Sequence, residues 1–358
     1  MKRFLPLLLA ATCLAGFPAT AQNAAPEIKY DATDPLNLPA DVYLGETAGV
    51  ATNSRGEIYV YTRTGHPTVS LGGARAFAHG GSRLFKFAAN GRFISEIGKD
   101  SYGMMFAQQI RVDPQDNVWV VDQMTSMVMV FDPNAQLKML LGRKAEAIRV
   151  PVLPPGGQGG GGGGGEEGGA GRALPGAGAQ QDVFNRPTDV AWDAAGNIFV
   201  ADGLGNQRVA KFDKNGVFVK SWGSRGNGQG QFAAARAIAV DGQGNVYVAD
   251  PGNKRIQVFD NNGTYKSAIT AVENPDALCI TPGANQFLFA SNSNPPGDIG
   301  IRGEIYKLRL DGTVVGKFGH AGKLPGEFAT VNAIDCRNPN QLLVGEIGSY
   351  RVQKIALK

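Results

Sequence analysis

The sequence has three histidines, His66, His79 and His320, and three cysteines, Cys13, Cys279 and Cys336. These residue types hold transition metals or act as nucleophiles, but their spacing matches no ligand or catalytic motif. Each histidine sits in a segment that reads as a loop, with no carboxylate partner evident to orient its ring. No Ser/His/Asp or Cys/His arrangement is legible, because neither Cys279 nor Cys336 has a histidine at a matching position. Asp276 and Asn332 offer oxygens to a calcium ion, yet the further carboxylates such a site needs are missing. Arg63 and Arg236 suit a different chemistry: they stay charged and grip an anion through paired hydrogen bonds. With His66, Gln108, Asp276 and Asn332 they form a candidate ligand-binding set rather than a catalytic one. No cofactor is expected; zinc or calcium is the alternative.

The elements that would position these residues are short strands. Two copies of one module stand out, from Pro187 and from Arg236, and each contains four runs that alternate apolar and polar residues. That period of two marks half-buried strands, and the Asn-Gly and Gly-Asn turns between them suit tight hairpins. Four strands repeated at a spacing in the forties make one propeller blade. Further copies follow the same pattern, and the chain divides into six, with the last one strand short. The segment Asp41–Gly45 is the expected outermost strand that closes the ring. The fold class is therefore all-β, a six-bladed propeller with four-stranded blades, its ring closed by an N-terminal strand.

The repeats resemble the NHL family of propellers. The residues that carry the likeness are Gly196 to Asp202 with Asn206 to Val209, and Gly244 to Asp250 with Asn253 to Phe259. Asp202 and Asp250 are expected to end the second strand, bind turn backbone and pair with Arg208 and Arg255.

Around the repeats, Lys2 and Arg3 precede an apolar run to Gly16, and Ala19-Thr20-Ala21 reads as a cleavage site. Residues 1–21 are thus expected to be a signal peptide, and 22–358 an exported propeller, periplasmic or secreted. No stretch approaches the roughly 20 apolar residues of a membrane span. Residues 151–181 are Gly-rich and expected to be a disordered loop, since they cannot bury enough apolar surface to offset their ordering. The net charge of +4, smaller still without Lys2 and Arg3, gives no electrostatic case for nucleic acid. A monomer is expected. Cys279 and Cys336 fall on the innermost strands of neighbouring blades, with side chains expected to aim differently, which argues against a disulfide.

The whole mature chain also resembles bacterial relatives of peptidyl-α-hydroxyglycine α-amidating lyase, a six-bladed NHL propeller. Pro187 to Ala191, Ser221-Trp222-Gly223, Arg255 to Phe259 and Arg351 to Lys354 carry this likeness. The resemblance implies a zinc ion held by three histidines at innermost-strand heads, with a tyrosine and arginines beside it. Such an enzyme splits a hydroxyglycine-extended peptide into an amide and glyoxylate. Here the resemblance places Gln108, Arg236 and Asn332 at the histidine positions, Leu204 at the tyrosine, Pro251 at an arginine and Ala333 at an acid. Arg63 alone keeps its counterpart. The reading is an exported, non-catalytic propeller binding a peptide, glycan or protein on its upper face. The alternatives are a metal-dependent lyase-like or lactonase-like enzyme and a structural part of the cell envelope.

Overall fold

A computed structural model describes residues 25–63, 68–71, 75–78, 81–99, 101, 103–142, 183–294 and 300–358, and only the backbone of 68–71 and 75–78. The expected leader, the Gly-rich stretch, His66 and His79 lie outside the described residues.

Six four-stranded antiparallel sheets form the blades of a propeller. Their innermost strands are Glu46–Thr52, Ala107–Val112, Asp189–Trp192, Ile238–Val240, Leu278–Ile280 and Val331–Asn338. In the repeated hairpins an Asp side chain fixes the turn. Asp193 Oδ1 accepts from the amides of Ala195 and Asn197, and Asp241 Oδ1 from those of Gln243 and Asn245. Gly196 and Gly244 supply the positive φ, +84° and +80°, that such turns need.

The carboxylate at the end of the second strand ties each repeat to the chain entering it. Asp202 accepts from the Asn185 amide and from Arg208 Nε at 2.9 Å, and Asp250 from the Ala233 amide and from Arg255 Nε at 3.1 Å. The expected arginine pairs are present. The bonds, however, reach back to the incoming connection as well as to the local turn. Apolar side chains of facing blades pack together, as Trp119, Val121 and Val128 do against Val190, Ile198 and Val200. Each buried Val, Leu, Ile or Phe contributes roughly 1.5–3 kcal/mol, and that burial holds neighbouring blades face to face.

The ring closes through the N-terminus, but not through Asp41–Gly45. Tyr30–Thr33 pairs with Arg351–Leu357, in register Tyr30 to Leu357 through Thr33 to Lys354. Asp41–Gly45 instead leads straight into Glu46 and has no strand partner. The geometry explains why. Crossing from a blade's rim to the next hub spans about three strand spacings of ~4.8 Å. A segment abutting Glu46 has no chain left for that journey, whereas residues 34–45 supply it.

Cys279 and Cys336 form a disulfide, against expectation. The register of Val331–Asn338 shifts between Asp335 and Asn338, so Cys336 falls in an irregular stretch where strict alternation no longer sets side-chain direction.

Candidate functional site

The upper mouth of the central channel is built from strand heads, and β-bulges aim them. Ala48, Gln108 and Asn332 each fall where the register of their innermost strand shifts by one residue. On blade four, Arg236 and Ala237 both face Ala249, through Arg236 N–H to its carbonyl and Ala249 N–H to the Ala237 carbonyl. A bulge turns a side chain out of the sheet's alternation, here into the channel. The sequence shows nothing that marks these bulges, although three of them place the candidates Gln108, Arg236 and Asn332.

Asn332 is the hub. Its Nδ2 donates to the carbonyls of Ala48 and Gln108, and its Oδ1 accepts from Arg236 Nη2 at 3.0 Å. Gln109 Nε2 donates back to the Asn332 carbonyl at 3.1 Å. Arg236 thus crosses from blade four to blade six, with Asp276 of blade five at 3.5 Å from its Nε. Burial pushes the Asp276 carboxyl above its ordinary value, against the pull of Arg236. Gln108 is buried, and among the described residues its Oε1 has no hydrogen-bond partner.

Arg63 stands beside this group. It is paired with Glu46, donates to the Ala107 carbonyl at 3.1 Å and lies 3.9 Å above the Phe106 ring. Burial lowers its pKa; Glu46 opposes that, and the nearby positive Arg236 adds to it. Glu46 was not among the residues singled out from the sequence, where nothing distinguishes it from a solvated strand-end acid. Its presence means that both arginines have a carboxylate.

The structure therefore brings together Arg63, Gln108, Arg236, Asp276 and Asn332. His320 is exposed, and its Nε2 lies 3.3 Å from Glu327 Oε1, a carboxylate partner the sequence did not suggest. Among the described residues no group of three His, Cys, Asp or Glu side chains could hold a metal ion. The strand heads do not suit zinc either: the Asn332 amide is engaged at both ends, and Arg236 is a permanent cation. Leu204 is half-buried, with its carbonyl accepting from Arg186 and Gln207, and Pro251 opens a short 3-10 turn.

Below this layer, the ion pair of Arg111 and Asp189 reaches across the channel. Arg111 donates to both Asp189 oxygens and to the carbonyls of Leu278 and Ile334, and Asp189 Oδ2 accepts from the Ile238 amide. One ion pair so joins five blades. Burial opposes the charge on Arg111, but the Asp189 carboxylate overcomes it and raises the pKa.

Fold and hub define a six-bladed β-propeller with a polar, strand-head mouth. A family described as a 6-bladed beta-propeller matches residues 183–294. The chain is similar in sequence to NHL-repeat proteins and to peptidyl-α-hydroxyglycine α-amidating lyases. It is 25% identical over 295 residues to rat peptidylglycine alpha-amidating monooxygenase, covering 75% of this chain and 26% of that protein. It is 27% identical over 289 residues to peptidyl-alpha-hydroxyglycine alpha-amidating lyase 1 of Drosophila melanogaster, covering 74% of this chain and 47% of that protein. Human NHL repeat-containing protein 3 is 28% identical over 187 residues, covering 48% of this chain and 50% of that protein. The chain spans from a quarter to half the length of these relatives. A gluconolactonase from Xanthomonas campestris shares the fold, with a TM-score of 0.54 at 14% identity, covering 94% of this chain and 99% of that one. No helix among the described residues is long and apolar enough to cross a membrane.

Proposed function

We propose that the chain is an exported, non-catalytic propeller whose upper mouth binds a peptide, glycan or protein ligand carrying an anionic group. The observation that carries this reading is the unfinished bonding around Asn332. Among the described residues, Arg236 makes one hydrogen bond with its five N–H groups, while the buried Oε1 of Gln108 accepts none. A ligand that offers an acceptor to Arg236 and a donor to Gln108 completes both. Because Asp276 and Glu46 already face the arginines, the ligand anion competes with a carboxylate rather than neutralising surplus charge. The Cys279–Cys336 disulfide supports an oxidising compartment, and with it export.

The alternative, a metal-dependent enzyme of the lyase or lactonase kind, is favoured by similarity to amidating lyases over about three-quarters of the chain. Against it stands a donor set of two amides and a guanidinium where the resemblance places the zinc histidines. The test is twofold. Purified protein is incubated with zinc and a hydroxyglycine-extended peptide, and amide and glyoxylate are measured; the binding reading expects neither. Peptide and glycan panels are then screened with wild type and Arg236→Gln, and ligands captured by wild type should be lost from the variant. Turnover, or captured ligands indifferent to Arg236, would overturn the reading.

A further inference from the structure

The ends of the innermost strands line an open chamber at the face opposite the arginine mouth. Its volume is about 370 Å3, and all six blades contribute to its wall. Small-molecule pockets fall in the range of ~300–1,000 Å3. The wall is largely apolar, with Val112 and Pro114 from blade two, Trp192 from three, Ala239 from four, and Ile280 and Pro282 from five. The Arg111 guanidinium forms the ceiling, and its bonds to Asp189 and two carbonyls are already made.

Arg337 of blade six lines the same chamber in a different state. Its Nη2 donates to the Val112 carbonyl at 2.9 Å and, weakly, to the Asp113 carbonyl at 3.5 Å. Among the described residues Nε and Nη1 donate no hydrogen bond, and no carboxylate forms an ion pair with this guanidinium. The nearby acids are committed elsewhere. Asp335 accepts from the amide and hydroxyl of Thr52 and from the Arg337 amide, and both Asp116 oxygens accept from Ser54. Against burial, those Ser54 bonds and the field of Arg337 hold the Asp116 carboxyl below its ordinary value, without a hydrogen bond between Asp116 and Arg337. Arg337 is half-buried, and a guanidinium beside apolar walls with donors to spare is stabilised by an anion that answers it.

We propose that this lower chamber binds a small amphiphile, with its apolar body between the strand ends and one anionic group on Arg337. The site shares no residue with the upper mouth and stands whether or not that mouth binds a ligand.

Octanoate and octanol serve as probes, titrated into the full chain by calorimetry and by fluorescence, with Trp192→Phe assigning the optical signal. Both should bind saturably. Arg337→Gln should weaken octanoate about tenfold or more while leaving octanol within about twofold, since only the charged headgroup loses its partner. Ala239→Phe should abolish both by filling the chamber, and Arg236→Gln, on the other face, should change neither. If Ala239→Phe does not fold, Arg337→Gln decides alone. Equal octanoate affinity in wild type and Arg337→Gln, or no saturable octanoate binding to wild type, would overturn the proposal.

Discussion

Arg111 and Asp189 show how much of this molecule rests on single polar side chains. Asp189 is fully buried and the Arg111 side chain 14% exposed, and between them they reach carbonyls or amides of three further blades. Removing one partner of a buried pair leaves an uncompensated charge, which typically costs about 3–5 kcal/mol. Arg111→Met should therefore destabilise by that order in chemical denaturation, and Arg111→Met with Asp189→Leu by less. A double variant as unstable as the sum of the singles would mean that the pair is not coupled. Asp276 supports a pH prediction. Burial raises its folded-state pKa above the unfolded value. Its contribution is therefore neutral below the ordinary carboxyl range. Stability is lost as pH rises from the unfolded towards the folded value, and the loss is complete above it. Asp276→Asn should abolish this stretch of pH dependence in the melting temperature. An anionic ligand at Arg236 should also bind more tightly at low pH in wild type, and that slope should flatten in the variant. The strand heads invite one more test. Gln108→His, Arg236→His and Asn332→His together should create zinc affinity absent from wild type, because the bulges aim all three into one mouth. Equal, weak zinc titrations of the two proteins would mean that the heads do not converge.

Among the elements, the closing strand is the one whose identity changes an experiment. Tyr30 joins the last blade by strand pairing, donates its hydroxyl to the Gly326 carbonyl at 2.6 Å, and sits 5.2 Å from the Phe318 ring. Deleting residues 25–33 should uncover the edge of Arg351–Leu357 and cost several kcal/mol, with aggregation as the visible result. Tyr43→Ser should cost almost nothing, since that side chain is 74% exposed. Matching effects of the two changes would return the closing role to Asp41–Gly45. Blade number and strand order were legible in the sequence because period two and the Asn-Gly and Gly-Asn turns are local signals. Which N-terminal run closes the ring was not, since Val42-Tyr43-Leu44 reads as a strand at least as readily as Tyr30–Thr33 and only the path length around the hub separates them. The same limit applies at the mouth. Arg236, Asp276 and Asn332 could be placed at strand heads, but Glu46 opposite Arg63 and the Cys336 side-chain direction depend on register shifts that composition does not reveal.

For the whole molecule, the two closures act on the same pair of blades from opposite ends. At the hub, Cys279 and Cys336 bond blade five to blade six. At the rim, the N-terminal segment touches both: the Ile28 amide donates to the carbonyl of Lys317 on blade five, the Lys317 amide donates to the Pro26 carbonyl, and Tyr30–Thr33 then pairs with blade six. A crosslink across 57 residues restricts the unfolded chain enough to stabilise by about 2–4 kcal/mol. Cys279→Ser with Cys336→Ser should lower stability by that amount without changing the fold. Deleting residues 25–33 removes the rim clasp alone. If both hold one blade in the ring, the disulfide should matter more once the rim clasp is gone. The combined variant should then lose more than the sum of the two, by at least ~0.5 kcal/mol, the margin within which independent sites add. Urea unfolding of the four proteins measures this. Strict additivity would show that hub and rim are secured independently, and that blade six stays docked through its packing against its neighbours alone.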